Sequence, residues 1–267
     1  AMSALVCAAL ATASAVEAKT FKWTNSGDVS SMDPYARQET FLLTFTQNIY
    51  DPLVRRDKNL NLEPALATKW GQTDKNTWFF DIRPNVKFSD GTPLTADDVV
   101  FSLNRANGPG SNVNGNFSSM KEIKKINDHR VEVTTSVPDP LLADKWASIS
   151  IMSKAWAEKN KTANVQDYKA KEENYASRNV NGTGGYRITG WTPDQRVTMT
   201  ANPDWWDKAN ASNVTEVVYT PIKSDSTRVA ALLSGDVDMV TDLPTQDVAR
   251  LRGDAKLKIA DGHEVRT

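Results

Sequence analysis

The fold of this chain is decided by one stretch in its first half, Phe80-Asp81-Ile82-Arg83-Pro84-Asn85-Val86-Lys87-Phe88-Ser89-Asp90-Gly91-Thr92-Pro93-Leu94-Thr95-Ala96-Asp97-Asp98-Val99-Val100-Phe101-Ser102. The bulky residues at its start suit a half-buried strand that continues to Phe88. Asp90-Gly91 is typical of a tight turn. Thr95 can cap a helix, and Asp98 lies where the helix dipole is positive. The stretch therefore predicts a strand, a turn and a capped helix in succession.

Strand and helix patterns continue outward from this stretch. Val99, Leu103 and Ala106 recur at i, i+4 and i+7, which is the spacing of a buried helical stripe. The other predicted elements are a strand at 19–25, helices at 39–50 and 141–148, a hairpin of 123–126 with 130–137, a hairpin of 186–191 with 196–201, and a strand–helix–strand–helix unit over 216–252. Hairpins followed by a parallel crossover unit predict a mixed fold, α/β with α+β portions.

The first 18 residues differ from the rest of the chain. The run from Ala1 to Ala11 is apolar and uncharged, and Val16-Glu17-Ala18 has the small-x-small pattern of a leader-peptidase site. We therefore predict a signal peptide over 1–18, and export. The single cysteine, Cys7, lies inside this leader, and Val6 before it disfavours lipid attachment. The mature chain then has neither disulfides nor cysteine catalysis. No later segment approaches the roughly 20 apolar residues of a membrane span.

The charges of the chain are balanced. Lysine and arginine total 32, and aspartate and glutamate total 33. A balanced chain has no broad basic field for phosphate backbones or anionic lipids, so we expect no nucleic acid partner and no adhesion to anionic membranes.

The sequence contains no pattern typical of a metal centre, a cofactor site or a catalytic site. Its two histidines, His129 and His263, stand outside any metal-binding motif. Three acidic pairs, 97/98, 172/173 and 236/238, are explained by a helix start, a solvated helix and a strand edge. The glycine cluster 182–185 lacks the lysine and the following helix of a phosphate loop. Its glycines instead predict close backbone approach, either to a neighbouring strand or to a ligand.

Several segments together resemble one known family. They are 50–54 (YDPLV), 62–70 (LEPALATKW), 80–102, 181–186 (NGTGGY), 202–206 (NPDWW) and 228–238 (RVAALLSGDVD). They resemble, in the same order, the extracellular solute-binding proteins of peptide ABC importers, which include dipeptide-, oligopeptide-, nickel- and opine-binding members. Two features depart from that family. Gly185 stands where a proline is usual, which loosens the backbone before Tyr186, and the chain has about half the length of similar members.

The resemblance implies a periplasmic binding protein type II-like fold. Such proteins have two lobes joined by a hinge, and the second lobe would be missing from this chain. Residues 19–55 and 181–267 would form the main sheet lobe, and residues 56–180 a smaller inserted subdomain.

The resemblance also implies a function. The protein would be a monomer in the periplasm that captures a peptide or other small solute, delivers it to a membrane ABC permease, and catalyses nothing. The ligand-facing positions implied are Ser30, Ser31 and Met32, then Gly184, Gly185 and Tyr186, and finally Trp191. The alternatives are an oligosaccharide- or nickel-complex-binding protein of the same fold and, more distantly, an exported glycan-degrading enzyme. The enzyme would need two carboxylates that converge at about 5–9 Å.

Overall fold

In the computed structural model the described residues are 19–167, 170 and 173–260. The predicted signal peptide, His263 and Glu172 lie outside these residues. The strands are β1 (Thr20–Asn25), β2 (Val54–Arg56), β3 (Leu62–Pro64), β4 (Ala67–Asp74), β5 (Thr77–Ile82), β6 (Met120–Asn127), β7 (Arg130–Thr135), β8 (Tyr186–Thr192), β9 (Arg196–Ala201), β10 (Glu216–Pro221) and β11 (Met239–Val240). The helices are α1 (Thr40–Thr46), α2 (Ala96–Asn107), α3 (Leu142–Lys145), α4 (Lys154–Lys159), α5 (Tyr175–Arg178), α6 (Asp225–Ser234) and α7 (Thr245–Arg252).

The larger sheet has the strand order β11-β1-β10-β9-β8. Strand β1 is parallel to both β10 and β11, whereas β9 is antiparallel to β10 and to β8. The hairpin predicted from alternation and the crossover unit predicted over 216–252 are therefore both present, and they share one sheet with the first strand. The mixed α/β fold is confirmed.

An aromatic cluster packs α1 onto this sheet. The ring of Trp23 on β1 lies 4.5 Å from that of Tyr219 on β10, measured between centroids. Phe41 and Phe45 of α1 approach Tyr219 at 5.3 and 5.8 Å. These separations are those of attractive aromatic pairs, so the cluster holds α1 against the centre of the larger sheet.

The smaller sheet is antiparallel, in the order β4-β5-β7-β6. Its strand β5 alternates, with Phe80 and Ile82 buried on one face. Helix α2 covers that face with Val99, Leu103 and Ala106, all fully buried, as the helical spacing predicts. The carboxylate of Asp98 accepts a 2.8 Å hydrogen bond from the Thr95 amide, so the predicted helix start is also confirmed. Buried apolar residues of both sheets form one cluster. The predicted domain boundary between residues 55 and 56 falls within β2.

Helix α1 is shorter than the predicted helix over 39–50. It ends at Thr46, because the next residues pair with the glycine cluster instead. The carbonyl of Asn48 accepts a hydrogen bond from the amide of Tyr186, at 3.0 Å, and that of Ile49 accepts one from the amide of Gly184, at 2.9 Å. A long-range backbone pairing thus overrides the local helical pattern.

Two other predicted elements also differ. The predicted strand around Val86 pairs with neither sheet. It folds back across the Asp90-Gly91 turn, where the Leu94 amide donates to the Val86 carbonyl at 2.9 Å. The predicted helix over 141–148 is only the single turn α3, and Trp146, which follows it, is 1% exposed.

Candidate functional site

The strands of the larger sheet that run in the same direction end at one edge. Strands β1, β8, β10 and β11 share a direction, since β8 and β10 are both antiparallel to β9. The segments after them, 26–32, 193–195, 222–224 and 241–244, therefore meet at one edge, which we call the carboxyl edge. In open α/β sheets, ligands bind outside the carboxyl ends of the strands. The carboxyl edge is therefore the candidate functional site.

Side chains connect the segments that follow β1 and β11. The Asn25 amide nitrogen donates to the Thr241 hydroxyl at 2.9 Å, and the Ser26 hydroxyl donates to the Asp242 carboxylate. The ends of two adjacent parallel strands are thereby held in one arrangement at the carboxyl edge.

The tip of the β8–β9 hairpin is joined to the same edge. The backbone amide of Asp194 donates to the Asp28 carboxylate at 2.7 Å. The Asp194 carboxylate in turn lies 3.4 Å from the Lys223 ammonium group. The hairpin tip thus links the segment after β1 to the segment after β10.

The three predicted positions after β1 have different environments. Ser31 is fully buried, and its hydroxyl donates to the Gln166 side-chain oxygen at 2.7 Å. Met32 is 1% exposed, and its amide donates to the Ser177 carbonyl at 2.9 Å. Ser30 is half-buried, and its hydroxyl oxygen has no hydrogen-bond partner among the described residues. Ser31 and Met32 therefore anchor the segment that carries Ser30.

Trp191 lies near the end of β8, on the same edge as Ser30. The Arg178 guanidinium is stacked over its ring, 4.6 Å from the centroid. Arg178 also pairs with Glu173, its Nε lying 2.9 Å from Oε2, and this bond lowers the pKa of Glu173 below its ordinary value. The indole N–H of Trp191 has no partner within the described ranges. The α5 helix, through Ser177 and Arg178, brings Trp191 beside the segment after β1.

Gly184 and Tyr186 lie at the other end of β8, away from the carboxyl edge. Tyr186 begins β8 and Thr192 ends it, a distance of about 20 Å at the usual rise per strand residue. A Cβ atom added to Gly184 would lie 2.6 Å from the Ile49 carbonyl carbon. The structure therefore does not bring this group together with Ser30 and Trp191. The close backbone approach predicted for the glycine cluster is confirmed here, although the partner is the turn after α1 and not a neighbouring strand.

Gly185 and the Tyr186 side chain face the segment between β9 and β10. A Cβ atom at Gly185 would lie 3.3 Å from the Trp205 ring. The Tyr186 hydroxyl donates to the Val214 carbonyl at 3.2 Å. The glycine that replaces the usual proline thus lies against an indole.

Sequence reasoning missed a buried carboxylate, Asp51, between the two sheets. It is 4% exposed. Its Oδ2 accepts hydrogen bonds from the Thr183 hydroxyl at 2.8 Å and from the Trp206 indole at 2.9 Å. Burial raises the pKa of Asp51 above its ordinary value, although these two hydrogen bonds oppose the shift. The Arg83 guanidinium stacks on the Trp206 ring, 4.2 Å from its centroid. The available signal was that all four residues lie in the segments that carry the family resemblance.

The decisive stretch 80–102 also contacts the glycine cluster. The amide of Ser89 donates to the Gly182 carbonyl at 2.9 Å. The side chains of Asp90 and Asn181 are joined by a 2.9 Å hydrogen bond from the asparagine nitrogen. The resembling segments therefore converge where the smaller sheet joins the larger one, and we call this region the junction.

A second buried group at the junction is an ion pair. The Arg105 guanidinium binds both oxygens of Asp33, at 2.8 and 2.6 Å, and the two side chains are 1% and 0% exposed. Arg105 also donates to the Asn164 carbonyl at 2.9 Å. The sequence indicated only an Asp-Pro turn at Asp33, because the partner lies on α2 of the other sheet.

The acidic pairs have structural partners. Asp97 is paired with Lys125 at 2.5 Å. Asp98 also accepts from the Lys154 amide at 2.8 Å, and Asp238 accepts from the Lys22 amide at 2.7 Å. Over residues 19–167, 170 and 173–260, no group of three metal-ligating side chains occurs, and no helix is long and apolar enough to cross a membrane.

A mixed sheet, with a smaller antiparallel sheet inserted between its strands along the chain, defines the class: this is the fold of a solute-binding protein. The family described as "Bacterial extracellular solute-binding proteins, family 5 Middle" matches residues 61–267. The chain belongs to this family.

Individual relatives agree with this assignment. The periplasmic oligopeptide-binding protein OppA of Salmonella typhimurium is 29% identical over 266 residues, which cover 89% of this chain and 47% of OppA. The structure of DppA from Helicobacter pylori in complex with the peptide STSA matches with a TM-score of 0.77 and 26% identity, over 89% of this chain and 49% of DppA. The structure of AgaA from Agrobacterium tumefaciens R10 in complex with agropinic acid matches with a TM-score of 0.79 and 28% identity, over 88% of this chain and 46% of AgaA. The chain spans about half the length of these relatives.

Proposed function

We propose that this chain belongs to the substrate-binding component of an ABC importer, which captures a peptide or a similar small solute in the periplasm and delivers it to a membrane permease. The observation that carries the proposal is the carboxyl edge of the larger sheet, where the Ser30 hydroxyl and the Trp191 indole N–H are buried polar groups without partners among the described residues. The relatives described as periplasmic and peptide-binding support the compartment and the ligand class.

In this proposal the predicted residues divide into three groups. Ser30 and Trp191, with Arg178 stacked beside Trp191, face the ligand at the carboxyl edge. Ser31 and Met32 hold the segment from behind. Gly184, Gly185 and Tyr186 connect β8 to the end of α1 and act on the ligand only through the position of β8.

The mechanism is capture by lobe closure. A second lobe closing over the carboxyl edge excludes water and buries most of the ligand. The ligand shifts the open–closed equilibrium only through contacts that are better made in the closed form. Pairing of an extended peptide backbone with protein backbone gives affinity with little dependence on side chains. The protein acts as a monomer and catalyses no reaction.

The test is calorimetric titration of the full-length gene product with a panel of solutes. The panel contains the tetrapeptide Ser-Thr-Ser-Ala, a dipeptide mixture, a nickel–histidine complex, an opine and a maltooligosaccharide. We expect a peptide to bind with a Kd of about 1 μM or tighter, and Trp191→Ala to weaken binding about tenfold through the lost aromatic contact. The matched control is Trp70→Ala, since Trp70 is a half-buried tryptophan of the smaller sheet; its affinity should stay unchanged.

The outcomes separate the alternatives. Binding of only the oligosaccharide or the nickel complex would show that the ligand class is wrong and the binding role right. Turnover of a glycan would replace the proposal with an enzyme. Equal losses in the two tryptophan variants would remove Trp191 from the site.

A further inference from the structure

Helix α6 contains a buried arginine that the proposed site does not use. Arg228 is 1% exposed and is among the largest fully buried side chains. A guanidinium carries five N–H donors and stays charged at every relevant pH. Burying it is favourable only when acceptors surround it, so the identity of its acceptors shows what the side chain does.

The acceptors of Arg228 belong to two different segments of the carboxyl edge. Its NH1 donates to the carbonyls of Ile222 and Lys223, at 2.8 and 3.0 Å, in the segment after β10. Its NH2 donates to the carbonyl of Asp242, at 3.1 Å, in the segment after β11. One rigid group thus braces the ends of two strands that are not adjacent in the sheet, since β1 lies between them.

Two carboxylates lie beside the same guanidinium. The Asp225 carboxylate, in the first turn of α6, accepts from NH2 at 2.5 Å. The Asp242 carboxylate lies 3.8 Å from NH2. Both carboxylates are more than half exposed, so the arginine is buried while its counter-charges remain at the rim of the candidate site.

The brace extends to the segment that carries Ser30. Asp242 also accepts a hydrogen bond from the Ser26 hydroxyl. The amides of Ile222 and Thr241 donate to the carbonyls of Asn25 and Thr24, at 3.0 and 3.1 Å. Displacement of Arg228 would therefore disturb the segments after β1, β10 and β11.

From these contacts we infer that Arg228 is a positioning residue for solute capture: it holds the segments 222–224 and 241–242 in the conformation that the ligand meets. The inference rests on the proposed function. Lysine cannot replace arginine here, because its three donors radiate from one nitrogen and cannot reach carbonyls of both segments in the geometry of a planar fork.

The test compares Arg228→Met and Arg228→Lys with wild type in the full-length protein. Amide hydrogen exchange is followed by NMR at Ile222 and Thr241, with the Ile82 amide, bonded to the His129 carbonyl at 2.8 Å, as reference in the smaller sheet. Calorimetry with Ser-Thr-Ser-Ala and the other panel solutes measures affinity. The control is Arg250→Met, which removes an exposed arginine of α7 that is paired with Asp247.

We expect Arg228→Met to accelerate exchange at Ile222 and Thr241 about tenfold or more while the Ile82 amide changes less than about twofold. Ligand affinity should fall about tenfold, as expected for loss of preorganisation. Arg228→Lys should give a smaller change in the same direction, and Arg250→Met none. If Arg228→Met does not fold, the exchange and affinity changes of Arg228→Lys test the inference by themselves.

Three results would overturn the inference. They are unchanged exchange at both reporter amides, equal acceleration at the Ile82 amide, or faster reporter exchange with unchanged affinity. A wild-type protein that binds no panel solute would instead show that the proposed function fails, and the inference would fail with it. If wild type binds a panel solute and the Arg228 variants keep wild-type exchange and affinity, the inference is overturned and the proposed function is not.

Discussion

At the scale of the residue, Asp51 shows how a short motif is explained by its partners. Two of its contacts come from separate resembling segments, Thr183 of the glycine cluster and Trp206 of NPDWW. Arg83 of the decisive stretch stacks on Trp206 in turn. A buried carboxylate that accepts hydrogen bonds from neutral donors pays a desolvation cost when it ionises. Ionisation of Asp51 therefore lowers the stability of the folded protein, whereas ionisation of a carboxylate with a lowered pKa raises it.

The first prediction concerns the pH dependence of that effect. Because the folded-state pKa of Asp51 lies above its ordinary value of 3.8, its contribution to stability is fully present below that pH and is lost as the pH rises through the raised pKa. Asp51→Asn does not titrate. We therefore expect the difference in unfolding free energy between variant and wild type to shift in favour of the variant as the pH rises from 3.5 to 7, measured by urea unfolding.

A matched control carries the opposite sign. The pKa of Asp57 is lowered, chiefly by a hydrogen bond from the Asn61 amide. The stability that Asp57 contributes is therefore lost as the pH falls. As the pH rises over the same range, the difference in unfolding free energy should shift in favour of wild type and against Asp57→Asn. Parallel trends in the two variants would refute this account of Asp51.

At the scale of the element, the glycine cluster determines where α1 stops and β8 starts. A Cβ atom at Gly182 would lie 2.0 Å from the Ile49 carbonyl oxygen, and one at Gly184 would lie 2.6 Å from its carbon. No rotamer change relieves a clash with backbone. These glycines are required by the contact of two backbones, which explains their presence without a phosphate or a ligand.

The second prediction follows from this contact. Gly182→Ala should destabilise the protein by about 3 kcal/mol, because overpacking must be relieved by backbone movement. Gly115→Ala is the control: nothing lies within 4 Å of the added Cβ atom, and the expected change is within about 0.5 kcal/mol. Urea unfolding measures both. A Gly182→Ala protein of wild-type stability that has lost solute binding would assign the glycine cluster to the ligand instead.

At the scale of the whole molecule, the junction connects the two sheets through buried contacts. The Asp33–Arg105 pair connects the segment after β1 to α2 of the smaller sheet. The Tyr35 carbonyl accepts from the Asn112 amide at 2.9 Å, and the Tyr35 hydroxyl donates to the Ser150 carbonyl at 2.6 Å. The smaller sheet is thus fixed relative to the carboxyl edge.

The third prediction tests this coupling. Arg105→Met should cost about 3–5 kcal/mol, because it leaves the Asp33 carboxylate buried without its counter-charge. Arg56→Met, which breaks a half-exposed pair with Asp144, should cost less than about 1 kcal/mol. Denaturant unfolding followed by circular dichroism and tryptophan fluorescence measures both. A loss in Arg105→Met no larger than in the control would show that the pair does not hold the junction together.

The sequence by itself determined the alternating strands, the capped α2 helix, the closely approaching glycines and the family, because each depends on residue types at short, regular spacing. Only the tertiary structure decided that Gly184 and Trp191 lie near opposite ends of β8, and that Asp33, Asp51 and Arg228 are buried. Asp33 and Asp51 bind partners 72 and 155 residues away, which local patterns do not encode. Arg228 binds residues nearer in the sequence. Its side chain is nevertheless buried only because β10 and β11 both pair with β1. The decisive stretch 80–102 thus predicted its own strand, turn and helix, while its contacts with the glycine cluster depended on how the two sheets meet.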